Sequence, residues 1–142
     1  MGLAPVIVPV DRLLHRVTRG RVSLVGLAGM PSLRLVTTGR KSGLRRENDL
    51  VYTPYDDRYV VIGSGWGRPA HPAWTLNLAA DPNATVVVRG RAVPVVARMA
   101  TEREVPDLWA RAVRIWPGYE VERRLAGGRE FRIFVLTARP AA

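Results

Sequence analysis

Six short runs rich in β-branched residues are joined mostly by hairpin-length links and do not alternate regularly with helices. Residues 33–38, 49–54, 59–63, 85–89, 92–98 and 131–137 each read as a strand. Asp56-Asp57 links the second run to the third, and Gly90 links the fourth to the fifth. A parallel pair needs a crossover of about a dozen residues or more, usually helical. The missing strand–helix alternation excludes a doubly wound sheet. The hairpin-length links predict a mainly β (α+β) fold, an antiparallel sheet of about six strands closed or nearly closed into a small barrel with flanking short helices.

The remaining segments are helical or irregular. Residues 71–80 read as a short helix, opened by Pro72 and stopped by Asp81-Pro82. Thr101-Glu102-Arg103-Glu104 has capping-box spacing, and Val105, Leu108, Trp109, Ala112, Val113 and Trp116 mark the apolar stripe that follows. Pro106 sits too deep for an ideal first turn, which predicts a late start or a bend. Pro117-Gly118 ends this helix, and residues 119–125 add a turn or two. Pro94 predicts an edge position or a bend for the strand that holds it.

The whole chain, 1–142, reads as one domain, with 1–30 as an N-terminal helical, basic segment. Val10, Leu13, Leu14 and Val17 share one helix face, and Arg12, Arg16 and Arg19 share another. Such a helix either packs on its own domain or touches an anionic membrane through residues 10–30. No apolar run reaches the ~18 residues of a membrane span. No signal peptide is read, because no charged region precedes Val6-Ile7-Val8. Cytoplasmic residence is the expectation.

The charge is uneven. Residues 1–46 carry nine Arg or Lys against one acid, net +8, and residues 47–142 carry thirteen against eleven, net +2. The excess predicts an anionic partner. Much of it gathers in Thr37-Thr38-Gly39-Arg40-Lys41-Ser42-Gly43-Leu44-Arg45-Arg46, which holds the only lysine. Two readings fit this stretch: solvated surface charge, or a receptor in which glycine-freed amides, a hydroxyl and fixed cations hold a phosphate or carboxylate.

Other chemistries fall away. The chain has no cysteine and two histidines. A thiol nucleophile and a thiolate zinc site are excluded, and no metal site is expected. Gly63-x-Gly65-x-Gly67 lacks the spacing of the dinucleotide fingerprint. It reads either as a tight link from strand to helix or as backbone brought close to a flat ligand. Trp66 lies in this loop, and Trp74 either packs beneath it or lines a slot. His71 either donates a hydrogen bond or merely precedes Pro72. Tyr119, after a helix-breaking Pro-Gly, is either a boundary residue or a proton donor to a developing oxyanion.

In order along the chain, the basic segment, then Ser64-Gly65-Trp66-Gly67, then His71-Pro72-Ala73-Trp74-Thr75-Leu76-Asn77-Leu78-Ala79-Ala80-Asp81-Pro82, then Trp116-Pro117-Gly118-Tyr119, resembles the deazaflavin-dependent nitroreductase family of actinobacteria. The resemblance spans about residues 33–137. It implies a split β-barrel that binds coenzyme F-420, a deazaflavin with a phospholactyl polyglutamate tail, and passes hydride to a quinone, nitroaromatic or activated alkene. By position it implies that Arg40, Lys41, Ser42, Gly43 and Arg46 receive the phosphate and acidic tail. Ser64, Gly65, Trp66 and Gly67 would line the ring, Pro72, Trp74 and Asn77 would shape the pocket, and Tyr119 would face the substrate. The chain departs from the family where relatives often carry Ser-Lys-Gly-Gly in place of residues 64–67. It also departs at Trp116 and Glu122, which stand at tyrosine positions.

Two rivals remain. The same barrel binds FMN in related oxidoreductases. Alternatively, a non-catalytic basic module binds anionic membrane or nucleic acid; nucleic acid is not expected, because no aromatics interleave the basic run as stacking platforms. The sequence leaves the oligomeric state open.

Overall fold

The computed structural model describes residues 29–140. The expected N-terminal basic helix, and with it nearly all of the stretch 10–30 read as a candidate membrane contact, lies outside them. Seven strands form one antiparallel sheet: β1 (Ser32–Thr38), β2 (Arg45–Val51), β3 (Thr53–Tyr55), β4 (Arg58–Ile62), β5 (Asn83–Val88), β6 (Arg91–Met99) and β7 (Ile133–Ala138). Their spatial order is β2-β1-β5-β6-β7-β4-β3. Three helices accompany them: α1 (Ala73–Ala80), α2 (Val105–Ile115) and α3 (Gly118–Leu125). The mainly β, antiparallel expectation holds, with one strand more than the sequence suggested.

Alternation along the strands builds two cores. Leu33 and Leu35 of β1, Val61 of β4, Ala84 and Val86 of β5, Val95 and Ala97 of β6, and Phe134 and Leu136 of β7 converge with Trp74 and Leu78 of α1 inside the curled sheet. The opposite face of β4 and β7 presents Val60, Ile62, Ile133 and Val135 to Leu108, Ala112 and Tyr119 of α2 and α3. These two strands are covered on both faces, which is why they read as unbroken apolar runs rather than alternating ones.

Two local expectations are corrected. Residues 49–54 are not one strand: β2 starts earlier, at Arg45, and Tyr52 separates it from β3. The charges of β2 are compatible with a strand because it is a sheet edge, and they pair across to β1, Arg34 Nε meeting Asp49 Oδ1 at 3.1 Å. Pro94 does not sit at an edge, since β6 is the central strand of the order. Its carbonyl accepts Arg139 N at 2.9 Å, one residue beyond the end of β7. The N–H that proline lacks would face that same side, so only the last rung of the ladder is lost. The late start foreseen from Pro106 does occur: α2 begins at Val105. The capping box closes as the spacing requires, with Thr101 N donating to Glu104 Oε1 at 2.9 Å and Glu104 N donating to Thr101 Oγ1 at 3.2 Å.

Candidate functional site

The basic segment is the β1–β2 turn. Gly39 N donates to Leu44 O, and Gly43 N donates to Gly39 O, each at 2.8 Å. Gly43 has φ +71°, where a side chain is strained. Ser42 Oγ accepts Leu44 N at 3.1 Å and Arg46 Nη2 at 3.4 Å, so this hydroxyl shapes the turn. Arg45 is drawn toward Glu47 at 3.6 Å. Among the described residues no carboxylate pairs with Arg40, Lys41 or Arg46, and all three are exposed. The turn therefore presents three uncompensated cations.

Asn77 anchors this turn from the helix. It is only 4% exposed. Its Oδ1 accepts Arg40 N at 3.1 Å, and its Nδ2 donates to Thr37 Oγ1 at 3.3 Å. Both halves of the amide are thus spent on the β1 end, and the side chain acts as a clasp. Trp74, one turn earlier on α1, lies inside the first core at 6.1 Å from the Phe134 ring. Its indole is a packing element beneath the site.

The glycine loop rests on the other end of the same helix. It forms a single 3-10 turn at Gly65–Gly67. A Cβ on Gly63 would fall 2.6 Å from Thr75 Cγ2, and one on Gly65 3.0 Å from Pro72 Cγ. A Cβ on Gly67 would fall 2.8 Å from both Glu122 O and Leu125 Cβ of α3. Protein, not empty space, occupies the side these glycines leave bare. Pro72, at the cap of α1, meets the loop, and Asn77, within α1, holds the turn. One rigid strut thus carries both motifs.

Arg129 fastens the loop. Its Nη1 donates to Gly63 O at 2.9 Å and its Nη2 to Ser64 O at 2.7 Å. Nε and Nη2 reach Arg68 O at 3.1 and 2.9 Å. The guanidinium also lies over the Phe131 ring, 4.8 Å from its centroid. Nη1 meets His71 Nδ1 at 3.3 Å. A guanidinium can only donate, so Nδ1 accepts and the imidazole is the neutral Nε2–H tautomer. Burial first, and then Arg132 and Arg129, hold the His71 pKa below its ordinary value.

Behind the loop lies a carboxyl that the sequence marked only as a departure. Glu122 of α3 is 9% exposed. Ser64 Oγ donates to its Oε1 at 3.2 Å, and Trp116 Nε1 donates to its Oε2 at 3.1 Å. Burial raises its pKa against the opposing effect of those two bonds. Tyr119, one turn earlier, has its ring in the second core, 6.0 Å from Trp109. Burial and then the Glu122 charge push its phenol well above the ordinary range. It holds its proton tightly and is suited to donating a hydrogen bond rather than giving the proton away.

A cavity of about 310 Å³ adjoins the basic turn, lined among others by Thr38, Gly43, Arg45, Asp81, Asn83 and Arg139. No residue of the glycine loop lines it, so it extends the cationic end only. Among the described residues no cluster of His, Asp and Glu is arranged to hold a metal, and no helix is long and apolar enough to cross a membrane.

A curled antiparallel sheet bearing a cationic turn and a glycine loop on one helix is the architecture of a split-barrel protein. The chain belongs to the F420H(2)-dependent quinone reductase family, whose sequence profile matches residues 12–138. An F420H(2)-dependent quinone reductase of Mycobacterium tuberculosis is 32% identical over 103 residues, which cover 72% of this chain and 66% of the relative, just under two thirds of its length. Among solved structures, an F420-H2 dependent reductase (FDR-A) superposes with a TM-score of 0.68 at 29% identity, over 75% of this chain and 94% of that one. A structure described as a domain-swapped dimer gives 0.69 at 25% identity, over 94% and 99%.

Proposed function

We propose that the protein is an F-420-dependent reductase that delivers hydride to a quinone-like acceptor, with nitroaromatics and activated alkenes as further candidates. The observation that carries this reading is the shared strut: Asn77 holds the cationic turn while Pro72 and Thr75 support the glycine loop. The residues fit an elongated, acid-tailed ring. Arg40, Lys41 and Arg46 lack carboxylate partners among the described residues, and the cavity edged by Arg45 and Arg139 offers space for further carboxylates. Charge-assisted bonds of this kind contribute roughly 1.5–3 kcal/mol each.

When bound, the cofactor supplies the hydride; the protein supplies position and electrostatics. Arg40, Lys41 and Arg46 bind the acidic tail, with the turn geometry held by Ser42 and Gly43. Ser64, Gly65, Trp66 and Gly67 orient the ring, and Arg129 keeps that loop from shifting. Pro72 braces it, and Trp74 and Asn77 fix the helix below. Tyr119, which the resemblance set facing the substrate, lies in the second core and supports α3 from within rather than reaching the acceptor. The test is a fluorescence titration with oxidised F-420, FMN and a nicotinamide cofactor. Saturable tryptophan quenching by F-420 at micromolar concentration is expected, weakened at least tenfold when Arg40→Ala and Lys41→Ala are combined. Preference for FMN, or unchanged affinity in the double variant, would overturn the assignment.

A further inference from the structure

We propose that Glu122 stores a proton behind the glycine loop and passes it through Ser64 to the acceptor as hydride arrives. The inference rests on the reading of that loop as the ring-binding wall. It stands on donor geometry. An indole N–H can only donate, so Trp116 Nε1 fixes Glu122 Oε2 as an acceptor. Any proton on this carboxyl therefore sits on Oε1, the atom 3.2 Å from Ser64 Oγ. Ser64 can accept that proton and donate its own onward, because a hydroxyl does both. Direction is built into the arrangement: indole, carboxyl, hydroxyl, loop.

The surroundings keep the carboxyl protonated further toward neutral pH than an ordinary glutamate. Its burial exceeds the effect of its two hydrogen bonds. The nearby ionisable groups do not neutralise it. Tyr119 lies one turn back on α3 and stays protonated. Arg129, from the segment before β7, directs its donors at the carbonyls of Gly63, Ser64 and Arg68. Among the described residues no cation pairs with Glu122.

The balance closes. Hydride brings two electrons and one hydrogen to a quinone and leaves a hydroquinone monoanion. That anion takes the Ser64 hydroxyl proton as Ser64 takes the proton from Glu122 Oε1. Glu122 is left as a carboxylate and regains its proton from water before the next turnover. Glu122 touches no reacting atom; it is a positioning residue that acts through Ser64.

Two measurements decide the matter. In the cofactor-free protein, labelled with ¹⁵N and assigned against Trp116→Phe, the Trp116 indole signal should titrate with a midpoint above that of an exposed glutamate. Glu122→Gln should abolish this titration, and Ser64→Ala should leave it in place. Glu122→Gln keeps both bonds, its amide oxygen accepting from Trp116 and its nitrogen donating to Ser64, but has no proton to give. With F-420 and a quinone, kcat should fall by about 10²-fold or more in both Glu122→Gln and Ser64→Ala, the scale of general acid assistance. Both should also lose the alkaline limb of the wild-type pH profile. An indole signal that does not titrate, or a Glu122→Gln profile that matches wild type while F-420 still quenches normally, overturns the relay alone. Absent quenching in the wild type overturns the cofactor site, and the relay with it.

Discussion

Asn77 shows how a single side chain joins two distant motifs. Its oxygen and nitrogen are both engaged, on Arg40 N and Thr37 Oγ1. Asn77→Leu fills similar space but strands a backbone donor and a hydroxyl in a buried setting. Each unsatisfied group costs about 1–3 kcal/mol. Thermal unfolding should therefore shift down by several degrees, and affinity for the acidic tail should fall although no cation was removed. The sequence identified Asn77 as a site residue but suggested a pocket wall; a bond to a backbone amide 37 positions away leaves no trace in spacing. Arg129 escaped altogether, as one arginine among 21 with no periodicity to set it apart. Glu122 was visible only as an oddity at a tyrosine position. Its burial raises its pKa, so folding binds a proton more tightly than the unfolded chain does. Its contribution to stability is complete below about pH 4.5, the unfolded value, and declines as pH rises toward the folded one. Glu122→Gln should therefore melt higher than wild type at pH 8, with the gap closing as the pH approaches 4.5.

At the level of elements, capping and turn chemistry were the most legible features. The capping box at the start of α2 formed as spaced, but its glutamate does more than the motif announces. Arg98 grips Glu104 with Nη1 at 2.7 Å and Nη2 at 3.0 Å, and Tyr55 Oη donates to it at 3.1 Å. The Arg98 bonds first, then Thr101 N and Tyr55, hold its carboxyl far below the usual range. A depressed carboxylate stabilises above its unfolded pKa, so this support is whole above about pH 4.5 and fades on acidification. Glu104→Gln should lower the melting temperature at pH 7, and the gap from wild type should narrow steadily, without closing, as the pH falls from about 4.5 to 3 in a thermal series. Strand limits were less legible where charge and proline contradict β propensity. The start of β2 at Arg45-Arg46-Glu47 is intelligible only once its partner β1 and its edge position are known. The central placement of Pro94 likewise depends on where β7 happens to end.

Across the whole molecule, the sequence conveyed the antiparallel plan and the N-terminal weighting of charge, but not the division of labour between two cores. The inner core fixes α1, and through α1 the distance from cationic turn to glycine loop. The outer core seats α3, which closes that loop from behind through Glu122 and the contact at Gly67. Ring and tail should therefore be bound by different forces. The cations of the turn are exposed, within reach of a Debye length of about 10 Å at 0.1 M salt, so their attraction is screened. The loop contacts are packing and hydrogen bonds, which salt hardly affects. Fluorescence titrations from about 50 to 500 mM NaCl separate the two. Affinity for F-420 should fall at least severalfold over that range, whereas affinity for a deazaflavin lacking the phosphate and glutamates should change less than about twofold. The Arg40→Ala, Lys41→Ala double variant should lose the salt dependence for F-420 while leaving binding of the tail-less ring unaltered. Equal salt sensitivity of both ligands would mean that the turn does not hold the tail, however well the loop holds the ring.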